Sequence, residues 1–139
     1  MPTLAPAHPH ETSVPMRMGF DLVQVSQIEE SIANFGDAYK RRVYTEGELR
    51  YAEQGDGVCA ERLAARFAAK EALIKALQPG DEGINLREIE VVRSGEGACR
   101  LALHGRMAAL AESQGVTRIL LSMSHDGGYA GAVVNLLYT

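Results

Sequence analysis

The sequence has 139 residues, a formal net charge of −4 and a hydrophobic fraction of 46%. This length is enough for one domain with a hydrophobic core. The acidic balance argues against a general nucleic-acid-binding protein, whose footprint is usually basic, and no apolar run approaches the ~18 residues of a membrane span. The two cysteines, Cys59 and Cys99, lack metal-ligand spacing and indicate reduced thiols in a cytoplasmic protein.

The first 16 residues show neither helical nor strand periodicity, and three prolines occur before residue 10. They also lack the apolar run of a signal peptide. We therefore expect a disordered leader over residues 1–16, in which His8 and His10 are solvated, followed by one domain over residues 17–139.

Residues 18–25 predict the first strand because they are rich in β-branched and aromatic side chains. Alternation places Asp21 on the same face as Val23 and Val25. Since aspartate is depleted in strands, Asp21 needs a reason to be there. It is either a cap for the next turn or a catalytic or metal-binding carboxylate.

Three helices are predicted after this strand, and the first two are short. A capping box of Ser26 and Glu29 predicts the first, over residues 27–35. Thr45 and Glu48 form a second capping box before a helix that fades at residues 55–57. Between them lies a basic cluster, a pattern that is usually a solvated face. The cluster consists of Lys40, Arg41 and Arg42.

The third and longest helix is predicted from near Cys59 to Leu77, before a Pro-Gly stop signal. Arg66 and Lys70 lie on or beside its apolar stripe, one turn apart, where like charges repel and a bound phosphate would relieve the repulsion. Glu71 and Lys75 form a second one-turn pair. The alternative is ordinary: the long cations lay their stems over the core, and Glu71 and Lys75 form a surface pair of small value.

The second half of the chain predicts a hairpin, a helix and a second hairpin. The elements are strands 88–93 and 99–103, helix 105–113, and strands 117–123 and 129–137, with loop 124–128 between the last two. The order β-α-α-α-β-β-α-β-β predicts an α+β domain with helices packed on a mostly antiparallel sheet. Ser124 and His125 crowd the end of an apolar strand, either as turn caps or as site residues.

Three motifs occur in a fixed order. Residues 19–23 contain a Gly-x-Asp strand, residues 66–76 read Arg-Phe-x-x-Lys-Glu-Ala-x-x-Lys-Ala, and Ser122-Met123-Ser124-His125 opens the last hairpin, with Leu103-His104-Gly105 between the second and third. Together they resemble the holo-acyl-carrier-protein synthases, the short group of 4'-phosphopantetheinyl transferases. The resemblance runs from about residue 18 to residue 137.

The resemblance implies that a carrier-protein serine attacks the coenzyme A phosphate that bears the pantetheine arm, and that 3',5'-ADP leaves. It implies a catalytic set of Asp21, Glu71 and Lys75, in which Asp21 and Glu71 bind Mg²⁺ through oxygen ligands. The general base stays open between metal-bound water, Glu71 and Lys75. The implied coenzyme site is lined by Arg66, Lys70, Lys75, Ser124 and His125, with His104 as a weaker candidate.

The resemblance further implies a homotrimer with coenzyme sites at subunit boundaries. An acidic acyl carrier protein would dock on the first helix and on the basic cluster, and carriers of fatty acid, polyketide and peptide synthesis all stay open. The sequence departs from the family pattern at several positions. Gln24 and Gln27 replace a usual Glu and Arg, Asp126 replaces Thr, the usual proline before Cys99 is missing, and the chain has no tryptophan.

Because Asp21, Glu71 and Lys75 are all present, we interpret these departures as differences in partner specificity. Two alternatives remain: a non-catalytic paralogue that binds coenzyme A or the carrier, and a phosphohydrolase that releases free phosphopantetheine.

Overall fold

The computed structural model describes residues 15–80, 83–95 and 97–138. Its first half contains β1 (Met16–Gln24), α1 (Val25–Phe35), α2 (Asp37–Val43), α3 (Glu46–Glu53) and α4 (Cys59–Leu77). Its second half contains a 3-10 turn (Leu86–Glu88), β2 (Ile89–Arg93), β3 (Cys99–Leu103), α5 (Gly105–Ser113), β4 (Val116–Asp126) and β5 (Tyr129–Tyr138). Within these residues, no helix is long and apolar enough to cross a membrane. Residues 1–14 of the predicted leader lie outside the described part, while Met16 already opens β1.

Two antiparallel sheets form the β-structure of the domain. The larger has the strand order β1-β5-β4, so that β5 lies in the middle, and the smaller is the β2-β3 hairpin. Together with the helices they confirm the predicted α+β class. Two elements were not predicted: the 3-10 turn, and α2, which contains the basic cluster. In the described residues, four α-helices rather than three therefore lie between β1 and β2.

Helix α4 crosses one face of the larger sheet and contributes the largest share of the core. Its buried side chains are mostly alanines, with fully buried leucines at 63, 73 and 77. Small side chains let the helix approach β1 very closely. A Cβ atom added to Gly19 would stand 1.9 Å from the carbonyl oxygen of Ala72, so only glycine fits there. This close contact fixes the distance between β1 and α4.

The sequence signals for helix starts and strand ends predicted some boundaries correctly and others wrongly. Thr45 and Glu48 form the predicted capping box at the start of α3. The predicted box at Ser26 is wrong, because α1 begins at Val25 and has no side-chain cap. β1 runs straight into α1, and the Val25 N–H is satisfied instead by the Gly128 carbonyl at 2.9 Å. Strand β4 also continues through the predicted loop as far as Asp126.

The outer face of the larger sheet, which points away from α4, carries several exposed apolar side chains. Met18, Phe20 and Leu22 of β1 are 67%, 57% and 57% exposed, and Leu120 and Tyr129 extend the same face. Exposed apolar surface of this kind marks an interaction site more often than free surface.

Candidate functional site

Asp21, Glu71 and Lys75 meet where α4 passes the β1 edge of the larger sheet, and we call this group the acidic half-site. Asp21 lies on the α4-facing side of β1, as strand alternation predicts. The Lys75 ammonium donates to Asp21 Oδ1 at 2.9 Å and to the Phe20 carbonyl at 3.0 Å. Glu71 lies one helical turn before Lys75. The structure therefore brings together all three predicted catalytic residues, although Asp21 lies fifty residues before Glu71 in sequence.

The electrostatics of the acidic half-site favour a cation. Burial raises the pKa of Glu71, the negative charge of Asp21 raises it further, and Lys75 opposes both effects. Two carboxylates held this close repel each other, and a divalent cation between them would remove the repulsion. Among the residues that the structure describes, no group of three or more His, Cys, Asp or Glu side chains is arranged to hold a metal. A pair of carboxylates nevertheless fits Mg²⁺, which usually keeps several waters and takes one or two protein carboxylates.

A second site, which we call the arginine pocket, is a cavity of about 280 Å³ between α3, α4, the β2-β3 hairpin and β4. Its lining includes Tyr51, Arg62, Arg66, Arg93, Ser124 and His125. The three guanidinium carbons lie 4.2, 4.3 and 4.6 Å from the centroid of the Tyr51 ring. Of the described residues, no carboxylate lines this cavity. Such a concentration of positive charge favours phosphate groups.

Arg66 is the most constrained cation of the arginine pocket. It is 3% exposed, and its Nε atom is buried without a hydrogen-bond partner in the described structure. Burial lowers the pKa of Arg66. Arg62 and Arg93, by contrast, are fixed through Tyr51: Arg62 donates to its carbonyl oxygen at 2.7 Å, and Arg93 donates to its hydroxyl. Sequence reasoning found Arg66 but missed Tyr51, Arg62 and Arg93, since these three stand outside the recognised motifs.

Lys70 is not among the lining residues of the arginine pocket, contrary to the prediction that it lines the coenzyme site. Its ammonium is fully buried and donates to Glu48 Oε1 at 2.8 Å, the Leu86 carbonyl at 3.0 Å and the Ile89 carbonyl at 2.5 Å. All three N–H donors are therefore used inside the protein. Glu48, predicted only as a capping residue, is the anion that pairs with Lys70, and its Oε2 also accepts from the Val91 N–H at 2.9 Å. This buried pair joins α3, α4 and β2.

The two remaining histidine candidates have different surroundings. His125 lines the arginine pocket, and its Nδ1 lies 3.5 Å from Glu61 Oε2. His104 stands at the N-cap position of α5 without a side-chain capping bond, and its Nε2 lies 3.0 Å from Glu90 Oε1. His104 is not among the lining residues of the arginine pocket, so its predicted coenzyme contact has no geometric support in the single chain.

The acidic half-site and the arginine pocket lie at opposite edges of the larger sheet. Asp21 is on the edge strand β1, His125 is on the other edge strand β4, and β5 separates them. Arg66 and Glu71 are five residues apart on α4, which puts them about 140° apart around the helix axis. In one chain, the two groups therefore face different directions.

The model of the 4'-phosphopantetheinyl transferase superfamily matches residues 17–134. This chain belongs to that superfamily. Two curated relatives of the transferase are named holo-[acyl-carrier-protein] synthase. The one from Gloeobacter violaceus is 43% identical over 121 residues, covering 87% of this chain and 92% of the relative. The one from Koribacter versatilis is 43% identical over 119 residues, covering 85% and 94%.

Solved structures give the same family for this transferase. The ACPS–CoA complex of Chronobacterium ammoniagenes has a TM-score of 0.78 and 36% identity, and the match covers 89% of this chain and 98% of that one. The holo-[acyl-carrier-protein] synthase of Helicobacter pylori in complex with coenzyme A has a TM-score of 0.74 and 28% identity, with coverages of 86% and 98%. The fold expected from the three motifs is thus confirmed.

Proposed function

We propose that this chain transfers the 4'-phosphopantetheine group from coenzyme A to a serine of an apo acyl carrier protein and releases 3',5'-ADP. The observation that carries the proposal is the meeting of Asp21, Glu71 and Lys75 at one edge of a sheet, inside a chain that belongs to the transferase superfamily. The names of the relatives and the coenzyme A in two of the solved structures support the same reaction.

In this mechanism the serine oxygen forms a bond to the phosphorus that carries pantetheine, and the bond from that phosphorus to the 3',5'-ADP oxygen breaks. Phosphoryl transfer mainly needs positioning and charge neutralisation. Lys75 neutralises charge on the pyrophosphate. Glu71, the second carboxylate of the acidic half-site, takes the serine proton. Asp21 and Glu71 hold Mg²⁺, which supplies further charge neutralisation when bound.

The arginine pocket holds the other end of coenzyme A. Arg66, Ser124 and His125 are the predicted contacts, and Arg62 and Arg93 join them because they line the same cavity. Arg66 lines this cavity, and its buried Nε lacks a hydrogen-bond partner in the described residues. A bound phosphate would also offset the crowding of three guanidinium groups around one ring.

The arrangement of the two groups favours a site shared between subunits of a homotrimer. The acidic half-site and the arginine pocket lie at opposite edges of the sheet, and a second copy can bring its own arginine pocket to the acidic half-site of the first. The apolar outer face, with Phe20 and Leu22 more than half exposed, provides a surface for that contact.

The carrier docks through α1 and the basic cluster Lys40, Arg41 and Arg42, which lies on α2. Helix α1 itself has glutamates at 29 and 30 and no basic residue, so the electrostatic attraction of an acidic carrier comes from α2.

We further propose that residues 17–139 act as one domain in the cytoplasm, in lipid metabolism.

The test is an intact-mass assay with coenzyme A, Mg²⁺ and a panel of apo carrier proteins from fatty acid, polyketide and peptide synthesis. One phosphopantetheine should appear on at least one carrier, and EDTA should prevent it. Coenzyme A binding without transfer to any carrier would favour the non-catalytic paralogue, which Gln24, Gln27 and Asp126 motivate. Release of free phosphopantetheine without a carrier would indicate the phosphohydrolase.

A complementation experiment tests the shared site. A Glu71→Gln chain and a His125→Ala chain, each weakly active alone, are co-expressed with different tags and purified as a hybrid. Activity should recover in part, because one boundary of the hybrid combines two intact halves. No recovery in a verified hybrid, or a monomer by light scattering, would contradict the shared site without touching the reaction itself.

A further inference from the structure

The arginine pocket contains a thiol that the proposed transfer reaction does not use. Cys99 begins β3, pairs with Arg93 in the β2-β3 register, and lines the pocket together with Arg62, Arg66 and His125. It is a free cysteine and is only partly buried. A small reagent that enters the pocket can therefore reach it.

The charges around Cys99 favour an anion at this position. Three guanidinium groups line the same cavity, and no carboxylate among the described residues does. Arg66 is only 3% exposed, and its Nε has no hydrogen-bond partner in the part of the chain that is described. Burial lowers the pKa of Arg66, so holding its positive charge in the pocket costs free energy. A negative group at Cys99 thus offsets part of the cost of burying Arg66.

We propose that Cys99 is a modification site that accepts small anionic disulfides of the glutathione type. The Cys99 thiol loses its proton to solvent, and the thiolate attacks one sulfur of the disulfide. The S–S bond of the reagent breaks, a new S–S bond joins Cys99 to one half, and the other half leaves as a thiolate. The disulfide is the oxidant, and the guanidinium groups attract its carboxylates. A thiol reductant reverses the step.

Modification has a direct consequence for coenzyme binding, and this part rests on the proposed function. The attached group fills a cavity of about 280 Å³ and places carboxylates against the guanidinium groups that we assign to the coenzyme phosphates. Coenzyme A and the adduct therefore exclude each other. The modification would make transfer depend on the ratio of disulfide to thiol around the enzyme.

Cys59 provides a matched control within the same chain. It is also free and partly buried, but it lies at the first residue of α4 and is not a lining residue of the arginine pocket. It packs near Tyr44, whose side chain is fully buried. General thiol chemistry would modify both cysteines, whereas attraction by the arginine pocket favours Cys99 alone.

The experiment uses the full chain with glutathione disulfide, followed by peptide mapping and a transfer assay. We expect Cys99 to react about tenfold faster than Cys59, and saturating coenzyme A to slow the reaction at Cys99 by about tenfold. The disulfide should inhibit the Cys59→Ser variant but not Cys99→Ser, each compared with its own untreated sample. Dithiothreitol should restore the inhibited protein.

Equal reaction rates at the two cysteines would overturn the proposal. In a chain that binds coenzyme A, absence of protection by coenzyme A, or a Cys99 adduct that leaves the KM for coenzyme A unchanged, would also overturn it. The outcome is separable from that of the proposed function. Selective reaction at Cys99 in a chain that neither binds coenzyme A nor modifies any carrier would leave the thiol site standing and defeat the transferase assignment. Normal transfer with an unreactive Cys99 would do the reverse.

Discussion

In the acidic half-site Asp21 and Lys75 neutralise each other at 2.9 Å, whereas in the arginine pocket three guanidinium groups surround one tyrosine ring without a carboxylate among the described lining residues. The acidic half-site draws on one strand and one helix. The arginine pocket draws on two helices and three strands, including Tyr51 of α3 and Arg93 of β2. The first arrangement suits a centre that must hold a metal and move a proton, and the second suits an anchor for phosphate.

The two regions also differ in whether a cation has an anionic partner within the protein. Lys70 lies between Arg66 and Glu71 in sequence and carries the same charge as Arg66, yet it is fully buried against Glu48. Arg66 has no anionic partner among the described residues. Lys70, which is fully buried and paired, is therefore structural, whereas Arg66 is the cation that we assign to the coenzyme phosphates.

The largest expected effect on activity is at the acidic half-site. Glu71→Gln should lower the rate of transfer by about a thousandfold, because it removes both a metal ligand and the proposed base. The measurement is the initial rate of carrier modification, with Glu112→Gln on the exposed surface of α5 as the control. A rate within a few-fold of the native enzyme would remove Glu71 from the catalytic set.

The same substitution should stabilise the fold near neutral pH. The raised pKa of Glu71 means that the folded state binds its proton more tightly than the unfolded state. The stability contributed by the protonated form is fully present below the usual value of 4.5 and is lost as the pH rises through the folded pKa. Thermal unfolding should show a higher Tm for Glu71→Gln at pH 7.5 and a smaller difference at pH 4, and Mg²⁺ should raise the Tm of the native chain only.

Lys70→Met tests the structural side of the comparison. Removing one partner of a buried ion pair leaves Glu48 uncompensated, so we expect a loss of about 3–5 kcal/mol in the free energy of unfolding. Urea denaturation measures it. The folded fraction should keep the native KM for coenzyme A, and a large rise in KM with little loss of stability would return Lys70 to the coenzyme site.

Arg66→Gln should give the opposite outcome. The Kd for coenzyme A should rise by about tenfold to a hundredfold, as expected for the loss of a charged hydrogen bond to phosphate. The free energy of unfolding should stay the same or increase, because the substitution removes a buried charge. Isothermal titration with coenzyme A and urea denaturation of the same sample separate the two effects. Loss of stability without loss of affinity would place Arg66 with Lys70.

The smallest effect is expected at Glu61, 3.5 Å from His125 on the rim of the arginine pocket. Both side chains are about half exposed, so their interaction is weak. Glu61→Gln should lower the KM for coenzyme A by about two- to fivefold, since it removes a negative charge near the phosphate site. A rise in KM would show instead that Glu61 positions His125 for the coenzyme.

The sequence predicted the acidic half-site residue by residue because its members fall in two short segments whose local patterns are unusual. Asp21 stands out in an apolar strand, and Glu71 and Lys75 occur at helical spacing in a recognised motif. Their contact across fifty residues followed from the family resemblance. The α+β class and most element bounds followed from periodicity.

The arginine pocket was only partly predictable, because its charge comes from residues that look ordinary where they stand. Arg93 ends a strand, Tyr51 lies on a short helix, and nothing local shows that both meet Arg66. Lys70 was misassigned for the same reason: its partner, Glu48, is twenty-two residues away and was explained as a cap. Helix α2 was missed because its run of cations is equally typical of a solvated loop.

The contact between Gly19 and Ala72 constrains how this enzyme can evolve. Asp21 lies on the strand, and Glu71 and Lys75 lie on the helix. The distance between these groups is therefore set by the contact at Gly19, where no side chain fits. Even one added methyl group would push the helix away from the strand and pull the acidic half-site apart. Substitutions at this contact are therefore not tolerated. In the arginine pocket, by contrast, side chains from five separate elements can be substituted one at a time. New substrate preferences in this lineage should arise there, while the chemistry stays fixed.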